Sequence, residues 1–202
     1  MGLTIGVVVT AIVFIGIFDY IQRTKNPPLM IFPEGRSTGP QEAPLQIIEF
    51  IDFQCPECRL GSLLLKEYQD KYPDTIRLGI KYYPLGELNS SVSAVYAECA
   101  ARQGKFWPMH DQLINQQNQW RTLVNIKPYL DQLAEKAELD PSALMACIND
   151  RKVHAAVLSD QMLGEANFVH SSPTYFVNKK MIVGADSLQK FLEDFLEKTE
   201  NF

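Results

Sequence analysis

The chain has 202 residues, 46% of them apolar, and a formal net charge of −5. That length supports one domain with a substantial core and a short appendage. The acidic balance leaves no electrostatic footprint for nucleic acid, and neither an internal repeat nor a low-complexity tract is present.

The first element is apolar. LTIGVVVTAIVFIGIF, residues 3–18, carries no charge, and Asp19 ends it just short of a full membrane span. Tyr20 and Ile21 extend it towards an interface. A cleaved signal peptide has a basic start and a small-x-small cleavage site, and neither is clear. Residues 1–25 therefore read as an uncleaved N-terminal membrane anchor, with a cleaved signal or a buried core helix as alternatives. Gly6 stands where a myristoylation pattern wants Ser or Thr. Arg23 and Lys25 follow the run and, by the positive-inside rule, weakly favour a cytoplasmic location for what comes next.

Residues 26–44 hold Pro27, Pro28, Pro33, Gly35, Gly39, Pro40 and Pro44. This composition suits a linker with at most a short strand at residues 29–32. The domain proper is expected over 45–202. LQIIEFIDF, residues 45–53, is a β-branched and aromatic run that predicts a buried strand. Alternation puts Leu45, Ile47, Glu49, Ile51 and Phe53 on one face. Glu49 is alone among apolar neighbours. Either the strand is an edge and Glu49 reaches water, or Glu49 is a buried acid whose pKa desolvation raises.

Cys55-Pro56-Glu57-Cys58 follows, and RLGSLLLKEYQDKY, residues 59–72, predicts a helix with Leu60, Leu63, Leu64 and Tyr68 near one face. Cys55 then lies at a strand-to-helix junction, with Pro56 in the first turn. TIRLGIKYYPL, residues 75–85, predicts a second strand, so the unit is a parallel strand–helix–strand. Residues 88–168 show no strand pattern and predict a helical insertion. Gly104 stops one of its helices, and Asp140 with Pro141 opens another that runs on through DRKVHAAVLSDQMLG. TYFVN (174–178) and KMIVG (180–184) predict a hairpin around Asn178 and Lys179. A last helix is expected from a cap at Asp186 with Gln189 three residues on, and a stripe of Leu188, Phe191, Leu192, Phe195 and Leu196.

The cysteine pair admits a redox centre, half a zinc site, or two core cysteines. Zinc needs four ligands, usually with a second close pair. Cys99 and Cys147 lie far apart in sequence, and His110, His154 and His170 are scattered. Inert core cysteines would not need Pro at the junction. A redox role has a physical basis. Unpaired N–H groups at a helix N-terminus favour a thiolate at Cys55, and Cys58, one turn on, is placed to resolve a mixed disulfide. Glu57 opposes part of that stabilisation, or is simply a favourable first-turn acid.

IIEFIDFQCPEC resembles the active-site segment of the thioredoxin superfamily, and SSPTYFVNKKMIVGAD resembles its cis-proline loop and following hairpin. The helical insertion, with AECAARQGKFWPMHDQL in it, is similar to that of the DsbA-like thiol–disulfide oxidoreductases. The resemblance covers residues 45–198 and implies a thioredoxin-like α/β fold. It makes Cys55 the nucleophile and Cys58 the resolving thiol, with Glu49 as a buried acid that moves protons. Pro173 becomes the cis-proline, and Ser172, Pro56 and Glu57 border the substrate. Pro-Glu departs from the Pro-His of the best-known oxidases, which leaves the direction of electron flow open between an oxidase and a reductase or isomerase. A non-catalytic peptide-binding chaperone on the same fold is a further alternative.

Four cysteines fit two pairs, one catalytic and one structural. Cys99 and Cys147 are expected as a structural disulfide of an oxidising compartment, against the alternative of two free buried cysteines. With the apolar N-terminus, this outweighs Arg23 and Lys25 and puts the domain on the extracytoplasmic side of a membrane. The implied partners are substrate proteins with cysteine thiols and a membrane redox partner that recycles the disulfide. No cofactor and no metal is implied.

Overall fold

The computed structural model describes residues 29–85 and 88–200. The expected anchor at 1–25 lies outside them. Among the described residues no helix is long and apolar enough to cross a membrane.

In chain order the elements are β1 (Ser37–Thr38), β2 (Leu45–Ile51), α1 (Pro56–Lys71), β3 (Ile76–Tyr82), α2 (Leu88–Arg102), α3 (Phe106–Asn115), α4 (Gln117–Trp120), α5 (Lys127–Lys136), α6 (Pro141–Ile148), α7 (Arg151–Ala166), β4 (Thr174–Val177), β5 (Lys180–Val183) and α8 (Ala185–Glu200). Among these the sheet order is β1-β3-β2-β4-β5. β2 and β3 run parallel and the other pairs are antiparallel. A parallel pair needs a crossover, and α1 supplies it. Asn178 and Lys179 turn the β4–β5 hairpin with φ of 47° and 75°, both in the left-handed region that such tight turns require.

The alternation of β2 separates two cores. Leu45, Ile47 and Ile51 face a large cluster that continues through Leu65 of α1 and Leu188 of α8 into the helical insertion. Ile48 and Phe50 face the other side, under Leu163, Val169 and Phe176. Leu29, Met30 and Phe32 close that second face. The Pro/Gly-rich segment is therefore not a free linker over its described part. Its strand is at Ser37–Thr38 rather than 29–32, paired with Leu78 and Gly79 of β3. Arg36 anchors it: Nη1 is 2.6 Å from Asp160 Oδ2 on α7 and donates to the Ile80 carbonyl at 3.2 Å. Such long-range pairing leaves no mark in local composition.

Two further boundaries differ from expectation. The long helix expected from Asp140 breaks into α6 and α7, because the Asp150 side chain accepts from Lys152 N at 2.9 Å and starts a new helix. Asp186 is not the cap of α8, which starts one residue earlier at Ala185. The Ala185 N–H is accepted by Glu57 Oε1 at 3.3 Å, a cap delivered from another helix.

Cys99 of α2 and Cys147 of α6 are joined by a disulfide with a Cα–Cα separation of 5.8 Å. It fastens two helices of the insertion.

Asp160 is the buried hub between the segments. It also meets Lys81 Nζ at 3.8 Å and accepts from Tyr82 N at 3.1 Å. Removing one member of a buried ion pair leaves its partners as uncompensated charges, at a cost of about 3–5 kcal/mol. Asp160→Ala is expected to lose stability on that scale in urea unfolding monitored by circular dichroism. A loss under about 1 kcal/mol, typical of an exposed pair, would show that residues 29–38 are not held through this carboxylate.

Candidate active site

The site is built where β2 ends and α1 begins. Cys55 is the N-cap residue of α1, with extended φ −74° and ψ 122°, and Pro56 starts the helix. At an N-cap the following N–H groups are unpaired and point at the side chain. Cys55 is half-buried and Cys58 is buried, and both are free thiols. The Cys55 pKa is lowered to about 6, first by a hydrogen bond from the Cys58 thiol, then by the N–H groups of Cys58 and Glu57 and by Ser172, while partial burial works against the shift. Burial pushes the Cys58 thiol well up, and the neighbouring Cys55 and Glu49 add to the rise. The two sulfurs thus titrate in opposite directions.

The junction is held from several sides. Asp52 Oδ1 accepts from Gln54 N at 2.8 Å, and Oδ2 accepts from Ser90 Oγ at 2.8 Å and Leu85 N at 3.0 Å. Asp52 N donates to Cys58 Sγ at 3.4 Å. Gln117, fully buried in α4, donates from Nε2 to the carbonyls of Phe53 and Cys55 at 2.8 and 2.9 Å. Asp52 and Gln117 were not expected as site residues. A lone Asp after a strand and a Gln in a polar run carry no local signal, because their role depends on a helix folding back from far along the chain.

The Ser172–Pro173 peptide bond is cis. It leads into β4 opposite the pair, and the Cys55 thiol donates to the Ser172 carbonyl at 3.5 Å. A groove of about 500 Å³ opens beside Cys55 and Pro56, lined also by Leu85, Asn89, Ser90 and Arg121. Glu57 does not line this groove; its carboxylate is drawn to the start of α8.

Glu49 is fully buried. β2 lies between β3 and β4, with Glu49 opposite Ile80 on one side and Tyr175 on the other. The edge-strand alternative is excluded. Desolvation raises the Glu49 pKa to about 8, with a further rise from Cys55 and a partial offset from the Tyr175 hydroxyl. Neither Glu49 carboxylate oxygen nor the Tyr175 hydroxyl has a hydrogen bond of good geometry among the described residues. Tyr175 is reached closely because α1 carries Gly61 there; a Cβ at that position would overlap the Tyr175 hydroxyl.

A family model described as Thioredoxin matches residues 32–195. The chain belongs to that family. Its fold is similar to the crystal structure of Wolbachia pipientis alpha-DsbA1, with a TM-score of 0.73 and 20% identity over 86% of this chain and 94% of that one. The probable disulfide bond formation protein D of Bacillus cereus is 24% identical and covers 98% of this chain and 97% of its own length. The Na(+)/H(+) antiporter NhaA 3 of Salinispora tropica is 31% identical over 142 residues, but this chain spans only 21% of that protein.

The buried acid has a pH signature. In the reduced protein, folded Glu49 keeps its proton between the ordinary value of 4.5 and about 8, while the unfolded chain has released it. Its contribution to stability is full below pH 4.5 and is lost as pH rises through 8. Wild-type protein should therefore lose stability relative to Glu49→Gln as pH rises from 5 to about 8. Parallel stability curves for the two proteins in denaturant titrations would place Glu49 outside a desolvated site.

Proposed function

We propose that the chain is a thiol–disulfide oxidoreductase of the DsbA-like kind, which carries a disulfide at Cys55–Cys58 and transfers it to substrate proteins with cysteine thiols. The observation that carries the proposal is the opposed titration of two cysteines one helical turn apart, facing the Ser172–Pro173 loop.

In the proposed reaction a substrate thiolate attacks Cys55 Sγ of the oxidised pair. The substrate–Cys55 bond forms, the Cys55–Cys58 bond breaks, and Cys58 leaves as a thiolate. Because Cys58 is buried, it takes a proton, and Glu49 gives it. The second substrate thiolate then attacks the substrate sulfur of the mixed disulfide, and Cys55 leaves as a thiolate. Two electrons pass from substrate to protein. Of the two substrate protons, one replaces the proton that Glu49 gave to Cys58 and one goes to solvent. The depressed pKa makes Cys55 the better leaving group. The cysteine pair is its own electron carrier.

Ser172 and Pro173 would dock an extended substrate segment as an added strand, with Pro56 at the rim. Glu57 ties α1 to α8 and contributes its backbone N–H to Cys55. Return of the reduced pair to the disulfide falls to a membrane redox partner. The Cys99–Cys147 bond supports an extracytoplasmic domain, and the apolar run at residues 3–18 supports tethering to the membrane. The name of the Bacillus cereus relative, a disulfide bond formation protein, agrees with flow from substrate to Cys55–Cys58.

The oxidised protein should oxidise a reduced dithiol peptide one-for-one. Cys58→Ser, given the peptide disulfide, should trap a mixed disulfide at Cys55 that survives non-reducing electrophoresis. If peptide binds but neither electron transfer nor a covalent adduct occurs, the protein is a binding module and the reaction above is wrong.

A further inference from the structure

Besides the Cys55 sulfur, two ionisable side chains line the groove at the cysteine pair, Asp52 and Arg121. Asp52 is buried, and its carboxylate is turned inward onto Gln54 N, Ser90 Oγ and Leu85 N. Arg121 is the opposite case. It is half-buried, in the turn that follows α4, and its guanidinium donates one hydrogen bond, from Nε to the Gln54 carbonyl at 3.4 Å. A guanidinium has five N–H donors, and the four on Nη1 and Nη2 have no partner among the described residues. Glu57, two residues from Cys55, is not that partner, because its carboxylate is drawn to α8.

The place of Arg121 is fixed relative to the reacting sulfur. Its carbonyl accepts from Gln54 Nε2 at 2.8 Å and from Asn89 Nδ2 at 3.3 Å, and its N–H donates to the Gln117 carbonyl at 2.9 Å. Asn89 Nδ2 also donates to the Leu123 carbonyl at 2.9 Å and so holds the loop beyond. Gln117 in turn donates to the carbonyls of Phe53 and Cys55. The carbonyls of Phe53, Gln54 and Cys55 are thus gripped in succession from one turn of the helical insertion, and Arg121 supplies the middle grip. Nε serves orientation, and the fork of Nη1 and Nη2 is left over. Such a fork matches the two oxygens of a carboxylate. The main causes of the low Cys55 pKa lie with Cys58, Glu57 and Ser172, and Arg121 is not among them.

We propose that Arg121 is a specificity-determining residue of this groove, and that it selects protein thiols with an aspartate or glutamate within two residues of the reacting cysteine. The inference rests on the oxidoreductase reading above and adds a substrate class to it. A segment that docks along the Ser172–Pro173 loop brings its sulfur to Cys55. Residues up to two places away in an extended segment stay within about 7 Å of that cysteine along the strand, the neighbourhood that Gln54 and Arg121 border. Asn89, Ser90 and Thr122 make the rest of that wall polar, which suits a charged neighbour better than an aliphatic one. The chain as a whole carries a charge of −5, so an acidic substrate is repelled at long range. The attraction at Arg121 is a local contact, not a steering field.

The test is oxidation of reduced dithiol peptides by the full-length oxidised protein. Each peptide carries Glu at one offset from both cysteines, one or two residues to either side, and each has a Gln counterpart. Every second-order rate is divided by that peptide's rate with hydroxyethyl disulfide, a neutral reagent, which removes differences in thiol reactivity. At one offset or more the Glu peptide should be preferred by about fivefold, the size of an exposed ion pair, and the preference should shrink in about 0.5 M salt. Arg121→Gln should bring the ratio to one or below. Arg121→Lys should keep part of it, as a point charge without the fork, and Arg121→Glu should reverse it. A purely structural role for Arg121 would slow Glu and Gln peptides alike and leave their ratio in place. Equal corrected rates for every Glu and Gln pair with wild-type protein, or an unchanged ratio in Arg121→Gln, overturn the proposal and leave the oxidoreductase standing. If wild-type protein oxidises none of the peptides, the proposed function falls and the specificity falls with it.

Discussion

A single hydrogen bond, from the Cys58 thiol to the Cys55 sulfur, is the interaction around which the site is arranged. It is the largest cause of the low Cys55 pKa, and it exists only because Cys58 keeps its proton. Cys58 keeps it because the sulfur is buried in the main core. The reactive thiol is therefore acidic because its partner is not. The helix N-terminus adds to this through the N–H groups of Glu57 and Cys58, and Asp52, Ser90 and Gln117 hold the junction so that those groups stay aimed at one sulfur.

In the proposed reaction the same burial that keeps Cys58 protonated creates a proton-supply problem, and Glu49 is the group that the sheet offers to meet it. A carboxyl on a central strand, between Ile80 and Tyr175, is expensive to ionise and so holds a proton near neutral pH. The cost is structural as well as electrostatic, because Gly61 is needed where α1 passes Tyr175. Stability given up at such a position is compensated elsewhere, and the Asp160 hub and the Cys99–Cys147 bond are two places where the fold is tied together again.

Much of this was legible in the sequence for local reasons. The runs at 45–53 and 75–85, the stripe of the last helix, and the Cys-Pro-Glu-Cys junction all announce themselves within a few residues. What could not be read depends on distant pairing. Residues 29–38 looked like a linker because Pro and Gly dominate them, yet Arg36 reaches Asp160 across 124 residues. Glu57 looked like a neighbour of the substrate, yet its carboxylate caps Ala185, 128 residues on. The strand pattern alone left Glu49 undecided; the resemblance made it a buried acid, and the place of β2 in the middle of the sheet buries it. Gln117 had no sequence signal at all.

The central claim is that reduction leaves Cys55 as a thiolate and Cys58 as a thiol near neutral pH. The most direct measurement is the reduction potential of the Cys55–Cys58 couple against pH, by equilibration with glutathione. Each proton taken up per two electrons contributes about 30 mV per pH unit. The slope should be about 59 mV per unit below pH 6, where both sulfurs gain a proton, and about 30 mV per unit from there to pH 7.5. A slope that stays near 59 mV per unit up to pH 7.5 would mean that Cys55 is protonated on reduction, and the account would be wrong at its root.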